Sequence, residues 1–310
     1  MKAGTEAAAE TSSPPTRGYV MVALAAIMWA AGGTAAKYLF NRGTTAFDLI
    51  QLRTSLSFIG LFGWLALTRP GLLRISPRDL PYFLALGTFG IAAAQFFYLF
   101  AISKISVAAA ILLHYTGPLF IFLYKLAFTR EKLKASTALA MAATIVGCAL
   151  VVEAYDPQVL APNRIGVIGG LLAAMAFATY SLLSEHGMRR YPPWTVLAYA
   201  MLFAAVAWNT LHAPLAAFAT TRTLTDWGWV VFIAVVGTIL PFGFYFKGIH
   251  RIRSTHAAIT ATLEPVSAGV IAFLFLGEIL APAQILGGLI VLAAIIYLQR
   301  RPQPPGPPTG

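Results

Sequence analysis

The sequence predicts an all-α integral membrane protein, with ten transmembrane helices arranged as two inverted five-helix repeats and both termini cytoplasmic. Three observations predict it. Of the 310 residues, 58% are hydrophobic and only 11% charged, against roughly half apolar and about a quarter charged in a soluble domain. The apolar residues arrive in blocks of about 20, the length that crosses a bilayer as a helix. The pattern of the first half also recurs in the second at a nearly fixed offset.

Residues 1–17 are a polar tail rich in Ala, Ser, Thr and Pro. The apolar run that follows is too long and too late for a signal-peptide core. The first repeat, 18–153, holds predicted helices over 19–39, 48–67, 81–101, 105–127 and 136–152. A linker at 154–164, with two prolines, an Asp and an Asn, interrupts the pattern. The second repeat, 165–299, holds helices over 165–184, 194–218, 227–247, 255–276 and 281–298. Residues 300–310 form a Pro/Gly tail that cannot pack a core.

Charge gives the orientation. With the N-terminus, the even-to-odd connections and the C-terminus on one side, that side holds 16 Lys and Arg and the other holds 5. Positive residues stay in the cytoplasm, so both termini are expected there. The formal charge of +11 then reflects cytoplasmic loops. No basic run with interleaved aromatics points to nucleic acid. The single cysteine, Cys148, excludes an internal disulfide, and no metal or other cofactor is expected.

A shift of 147 residues carries Tyr98 onto Tyr245, Ile102 onto Ile249, Pro118 onto Pro265 and Glu131 onto Glu278; a shift of 148 carries Gly18 onto Gly166 and Leu24-Ala25-Ala26 onto Leu172-Ala173-Ala174. Five spans per half, an odd number, insert the halves with opposite topology. Transporters use that design to build a midplane site that opens alternately to each side.

The segments LEPVSAGVIAFLFLGEILAPAQILGGLIVLAAIIYL (263–298) and HYTGPLFIFLYKLAFTREKLKASTALAMAATIVG (114–147) resemble the EamA family of the drug/metabolite transporter superfamily. The nearest likeness within it is to bacterial exporters of aromatic and other amino acids. The resemblance implies ten helices, cytoplasmic termini and export of small metabolites across the bacterial inner membrane. The Glu-Pro of the family's second repeat is kept as Glu264-Pro265, whereas Gly117-Pro118 stands in the first.

Polar residues at membrane depth give the candidate substrate-binding set: Trp29, Gln95, Tyr98, His114, Tyr115, Tyr180, Tyr245, Thr260 and Glu264. A charged group at the centre of a span costs about 2.5–3.5 kcal/mol on insertion scales, so Glu264 needs a reason to be there. It is read either as a site for a substrate ammonium or a proton, or as a packing acid bonded to a neighbour. His256, Thr260, Glu264 and Ser267 fall on one helical face. Pro118 and Pro265 are candidate kinks or hinges, since proline removes an N–H and crowds the carbonyl four residues earlier. Pro214 and Pro241 repeat that signal more weakly. Rings with a polar handle suit a cavity for an amphiphilic or aromatic solute, and equally suit lipid-facing or core packing.

Lys37, Glu185 and Arg53 read as residues near span ends that snorkel, Lys37 with the option of meeting a substrate carboxylate. Glu131 and Glu278 read as helix caps. Tyr19, Tyr82, Tyr191, Trp194, Trp227 and Trp229 read as interfacial belt residues. No HExxH, Walker loop or GxSxG occurs, so no enzyme is expected. The partners expected are a small-molecule substrate and the lipid bilayer. Ala143, Gly147 and Gly287-Gly288 allow close helix packing, internal or in a homodimer. Export of amino-acid-like metabolites is the leading reading. Drug or nucleotide-sugar transport is the alternative within the superfamily, and a membrane enzyme or structural subunit is the alternative outside it.

Overall fold

The computed structural model describes residues 16–102, 104, 107–129, 134–151, 153–156, 164–211, 213–220, 222–276 and 281–300. The expectations for Glu131 and Glu278, for most of the N-terminal tail and linker, and for residues 301–310 lie outside them, as does the side chain of Lys37. Among the described residues only helices, turns and bends occur.

Helix α1 is Thr16–Asn41 and α2 is Ala46–Thr68. α3 comprises Leu80–Ala85, a π-helical stretch Leu86–Ala92, and Ala93–Ile102. α4 comprises Val107–His114, Gly117–Tyr124 and a π-helical end Lys125–Thr129. α5 is Ala135–Val151, α6 Arg164–Gly187 and α7 Pro193–Leu211. α8 starts with Leu224–Ala234, passes a π-helical turn Val235–Ile239, and reaches Ile252. Arg253, at φ 65 and ψ 160, breaks the run; α9 then continues through Ala261 and Leu263–Leu276. α10 is Pro282–Gln299.

Eight stretches are long and apolar enough to cross a membrane, Leu224–Ala261 counting as one, and α5 is a shorter apolar helix. Residues such as Ile59, Phe89, Leu139, Ile165, Ile168 and Leu289 are exposed on the exterior, a surface that lipid solvates and water does not. The chain is a multi-pass membrane protein.

Local chemistry sets the ends. Thr45 caps α2 by accepting from the Asp48 N–H, and Thr223 with Asp226 forms a reciprocal capping box on α8. Proline opens α7 and α10, where its missing N–H costs nothing. The seventh helix, expected to reach 218, stops at Leu211. Pro214 disfavours helix in the residue before it, Leu215 turns left-handed at φ 56, and Ala216–Ala219 forms a separate turn. The eighth helix, expected to end at 247, runs to the break at Arg253.

The most extensive helix contacts join residues of the first half to residues of the second: α1 with α8 and α9, α6 with α3 and α4, α2 with α7, and α5 with α10. They recur in related pairs. A Cβ on Gly32 of α1 would lie 2.8 Å from the Gly237 Cα of α8, and a Cβ on Gly90 of α3 would lie 2.8 Å from the Tyr180 Cβ of α6. The 148 shift carries Gly32 to Tyr180, and the 147 shift carries Gly90 to Gly237. Arg42, just past α1, pairs with Asp226 of α8 at 2.6 Å, and Arg190, just past α6, pairs with Asp79 before α3 at 2.9 Å. These residues too map onto each other, Arg42 to Arg190 and Asp79 to Asp226. The π-helical turns of α3 and α8 fall at corresponding places, since 86–92 shifts to 233–239.

The small-residue faces of α5 and α10 meet each other within the chain. A Cβ on Gly147 would lie 2.8 Å from the Gly287 carbonyl oxygen, and one on Gly287 would lie 2.5 Å from the Gly147 carbonyl oxygen. Alanine at Gly147 therefore overpacks this crossing, at a cost of about 1–3 kcal/mol. It is expected to lower the thermal unfolding midpoint in detergent. Alanine at Gly33, which has no atom within 4 Å of its would-be Cβ, is expected to leave the midpoint unchanged or raise it, because alanine favours helix.

Candidate functional site

Where α1, α3, α4, α6, α8 and α9 converge, their aromatic side chains form one continuous cluster. Trp29 of α1 meets Phe242 edge-on at 5.2 Å and Tyr245 at 5.3 Å. Tyr180 of α6 contacts Phe177, Phe242 and Tyr245 at 5.1, 5.7 and 6.0 Å. Phe177 then meets His114 of α4 at 5.1 Å, and His114 meets Tyr98 of α3 at 5.2 Å. Edge-to-face and tilted rings at these distances fix one another's orientation. Gly117 makes room for Phe177, for a Cβ there would lie 2.5 Å from the ring.

Glu264 enters this cluster from α9. It sits one residue before Pro265, where the helix restarts after a turn at Thr262. The Tyr115 hydroxyl donates to its Oε2 at 2.5 Å, so α4 and α9 are joined at the two proline-marked interruptions. The Tyr115 ring meets His114 edge-on at 5.4 Å and Phe177 at 6.5 Å, which ties the carboxyl to the rings of α4 and α6. Two polar side chains of α3 and α4 have unmet capacity, Gln95 one helical turn before Tyr98 and His114 next to Tyr115. Gln95 is 9% exposed, and neither its Oε1 nor its Nε2 has a hydrogen-bond partner; the Nδ1 of His114 also has none. Buried polar atoms left unpaired cost about 1–3 kcal/mol each, and in a native protein they call for an explanation such as a bound group.

Other expected residues are placed differently. Tyr245 lies within the aromatic cluster, but its hydroxyl is engaged with Ser181 at 2.9 Å. Thr260 is fully buried and donates to the His256 carbonyl of its own helix, and Ser267 likewise donates to Leu263. His256 bonds Tyr19 at 2.7 Å. The polar stripe of α9 thus has four separate destinations, and only Glu264 faces the cluster. Pro118 and Pro265 sit where their helices restart, after breaks at Tyr115–Thr116 and at Thr262. The three tyrosines read as belt residues commit their hydroxyls inside the chain: Tyr19 to His256, Tyr82 to the Leu183 carbonyl at 2.6 Å, and Tyr191 to Asp79.

Two charged residues expected to snorkel do otherwise. Arg53 of α2 turns inward: its Nε donates to Thr238 Oγ1 at 3.2 Å and its Nη2 to the Gly237 carbonyl at 3.3 Å. Burial of both partners drives this, because the π-helical turn leaves carbonyl and hydroxyl acceptors that need donors. Glu185 is buried and pairs with Lys125 at 3.2 Å and Arg253 at 3.4 Å. It also accepts from the Ser254 N–H at 2.8 Å and from the Ser254 hydroxyl. One carboxylate thus caps the start of α9 and holds Arg253 in its unusual backbone conformation. Charge within a span was the only signal available for Arg53, and nothing in spacing pointed to the Glu185 network.

The sequence profile of the EamA-like transporter family matches this chain twice, over residues 16–153 and 164–299. The chain belongs to that family. An uncharacterized transporter of Archaeoglobus fulgidus is 26% identical over 91% of this chain and 96% of its own length. A probable terminal-alkyne amino-acid exporter of Streptantibioticus cattleyicolor is 25% identical over 74% of this chain and 77% of its own. A solved crystal structure superposes with a TM-score of 0.72 over 92% of this chain and 97% of that one, at 16% identity, a likeness of fold. A transporter of small molecules in a lipid bilayer is the class these relatives share.

The Tyr115–Glu264 bond makes a direct prediction. Hydrogen bonds to charged groups are worth about 1.5–3 kcal/mol, so Tyr115→Phe and Glu264→Gln should not act independently. A double-mutant cycle on thermal unfolding in detergent is expected to give a coupling of about 1–2 kcal/mol. Simple additivity would mean that the bond contributes nothing.

Proposed function

We propose that the protein is a secondary transporter that exports small amino-acid-like metabolites, aromatic ones among them, across the bacterial inner membrane. In this reading the chain crosses the membrane ten times, as two inverted five-helix repeats (18–153 and 165–299), with both termini in the cytoplasm. The long Leu224–Ala261 stretch then comprises one crossing up to Arg253 and the start of the next. Substrate binds among Trp29, Gln95, Tyr98, His114, Tyr115, Tyr180, Tyr245 and Glu264, and the halves rearrange about that site. Thr260 acts only through its helix, and Pro118 and Pro265 serve as hinges.

The observation that carries this reading is the site itself. An intramembrane carboxyl and an unsatisfied His114 ring nitrogen lie in one aromatic cluster built from both halves, and α3, which brings Tyr98 to it, also carries the unsatisfied Gln95 one turn earlier. Ionisable groups at such depth mark substrate or ion paths by default, and rings beside a few polar groups fit amphiphilic solutes. The exporter relative whose name specifies an amino acid supports the substrate class. Alternating access is supported by the two matched ion pairs, Arg42–Asp226 and Arg190–Asp79, each joining one half to the other. In the inverted arrangement they stand on opposite faces, so releasing one while keeping the other opens one side at a time. Nucleotide-sugar transport would call for several cations around the site, and Arg53 is the one within electrostatic reach of Glu264.

Counterflow in proteoliposomes against a panel of amino acids and nucleotide sugars, with and without a pH gradient, tests the assignment. Exchange of aromatic amino acids is expected, with Glu264→Gln slowing it about tenfold or more. Exchange of nucleotide sugars alone would replace the substrate class. A Glu264→Gln protein with wild-type flux from about pH 5.5 to about pH 8 would remove Glu264 from the mechanism.

A further inference from the structure

Glu264 has no acidic counterpart in the first half, where the 147 shift places Gly117. Arg53 is the complementary case, since the same shift places Ala200 opposite it in α7. Neither of these two charges has a charged counterpart in the other half. The Arg53 guanidinium is bonded to Thr238 of α8, one turn before Phe242, and Glu264 is bonded to Tyr115 beside Phe177; Phe242 and Phe177 both pack on Tyr180, so the two charges border one aromatic cluster.

They form no direct ion pair. Glu264 is held on its own side by the Tyr115 hydroxyl at 2.5 Å, and Arg53 on the other by Thr238 and the Gly237 carbonyl. The acceptors that hold Arg53 are themselves fixed. Gly237 lies against Gly32 with no room for a side chain, and the Thr238 hydroxyl donates to the Ile233 carbonyl at 2.9 Å. Side-chain rearrangement alone thus meets resistance if the cation and anion are to collapse onto each other. An opposite pair kept apart in a water-poor site leaves each group under-compensated, which is costly unless something bridges them.

An α-amino acid is a bridge of that kind, with an ammonium and a carboxylate on one carbon. Guanidinium offers the planar fork that carboxylate prefers, and it has donors beyond the two already engaged. Gln95 supplies an unpaired donor and acceptor on the α3 face that carries Tyr98, whose ring meets His114 of the cluster. We propose that Arg53 is the carboxylate-binding residue of the transport site, and that substrate is recognised as a zwitterion held between Arg53 and Glu264. The aromatic cluster then receives the side chain. This deepens the reading given under Proposed function and rests on it.

Three probes separate the two charges: L-phenylalanine, phenethylamine, which lacks the carboxylate, and 3-phenylpropionate, which lacks the ammonium. Each is tested as a competitor and as a substrate in counterflow with the full chain. The wild type is expected to prefer L-phenylalanine to both analogues by about thirtyfold or more, the lower end for losing one partner of a buried charge pair. Arg53→Gln should lose that preference over phenethylamine, and Arg53→Lys should restore part of it. Equal handling of phenethylamine and L-phenylalanine by the wild type would overturn the proposal and leave the transporter assignment standing. An Arg53→Gln protein with wild-type preference would overturn it as well. If none of the three probes nor any other amino acid is exchanged, the assignment fails and this proposal with it. The wild-type series needs no variant, so poor folding of Arg53→Gln does not protect the proposal.

Discussion

The packing of α1 on α8 and of α6 on α3 governs the rest of the architecture. Gly32 against Gly237 and Gly90 against Tyr180 bring these helices to backbone or near-backbone contact. Close approach of this kind is what stabilises helices in lipid, where no hydrophobic force between them operates. Because both contacts join one half to the other, neither half completes its own interior. The aromatic cluster fills the space between these crossings, drawing Trp29 from one and Tyr180 from the other. The ion pairs Arg42–Asp226 and Arg190–Asp79 lie at the ends of the same helices. A change in either crossing therefore reaches both the site and one of the pairs.

Matched contacts give the scaffold, and departures from matching give the chemistry. Glu264 opposite Gly117 and Arg53 opposite Ala200 are substitutions of charge for small apolar residues at related positions. Gly117 is also what lets Phe177 approach α4. A symmetric frame suits a movement that exchanges the roles of its halves. An asymmetric pair of charges suits a substrate whose two ends differ. The proposed function combines these two properties.

Much of this was legible in the sequence, for identifiable reasons. Apolar runs near 20 residues specify helices whatever their partners, since backbone groups in lipid must bond within the segment. The 147 and 148 registers located the related positions, and charge at depth singled out Glu264. Partners were not legible. Spacing placed His256, Thr260, Glu264 and Ser267 on one face, but the turn at Thr262 interrupts that face and each residue meets a different acceptor or donor. Arg53 and Glu185 sit near helix ends, where snorkelling is the ordinary outcome. Only tertiary packing supplied the buried acceptors and counter-ions that draw them inward. The stop at Leu211 was within reach, because Pro214 cannot continue a helix and holds the residue before it away from the α region.

The central claim is that the two matched ion pairs open in turn as the halves exchange roles. Cysteines at Arg42 and Asp226, or at Asp79 and Arg190, in a Cys148→Ser background, can be joined through two disulfides by a short bis-methanethiosulfonate in proteoliposomes while counterflow is followed. The account predicts that joining either pair alone stops exchange and that reduction restores it. Exchange at the uncrosslinked rate with either pair fully joined would contradict it.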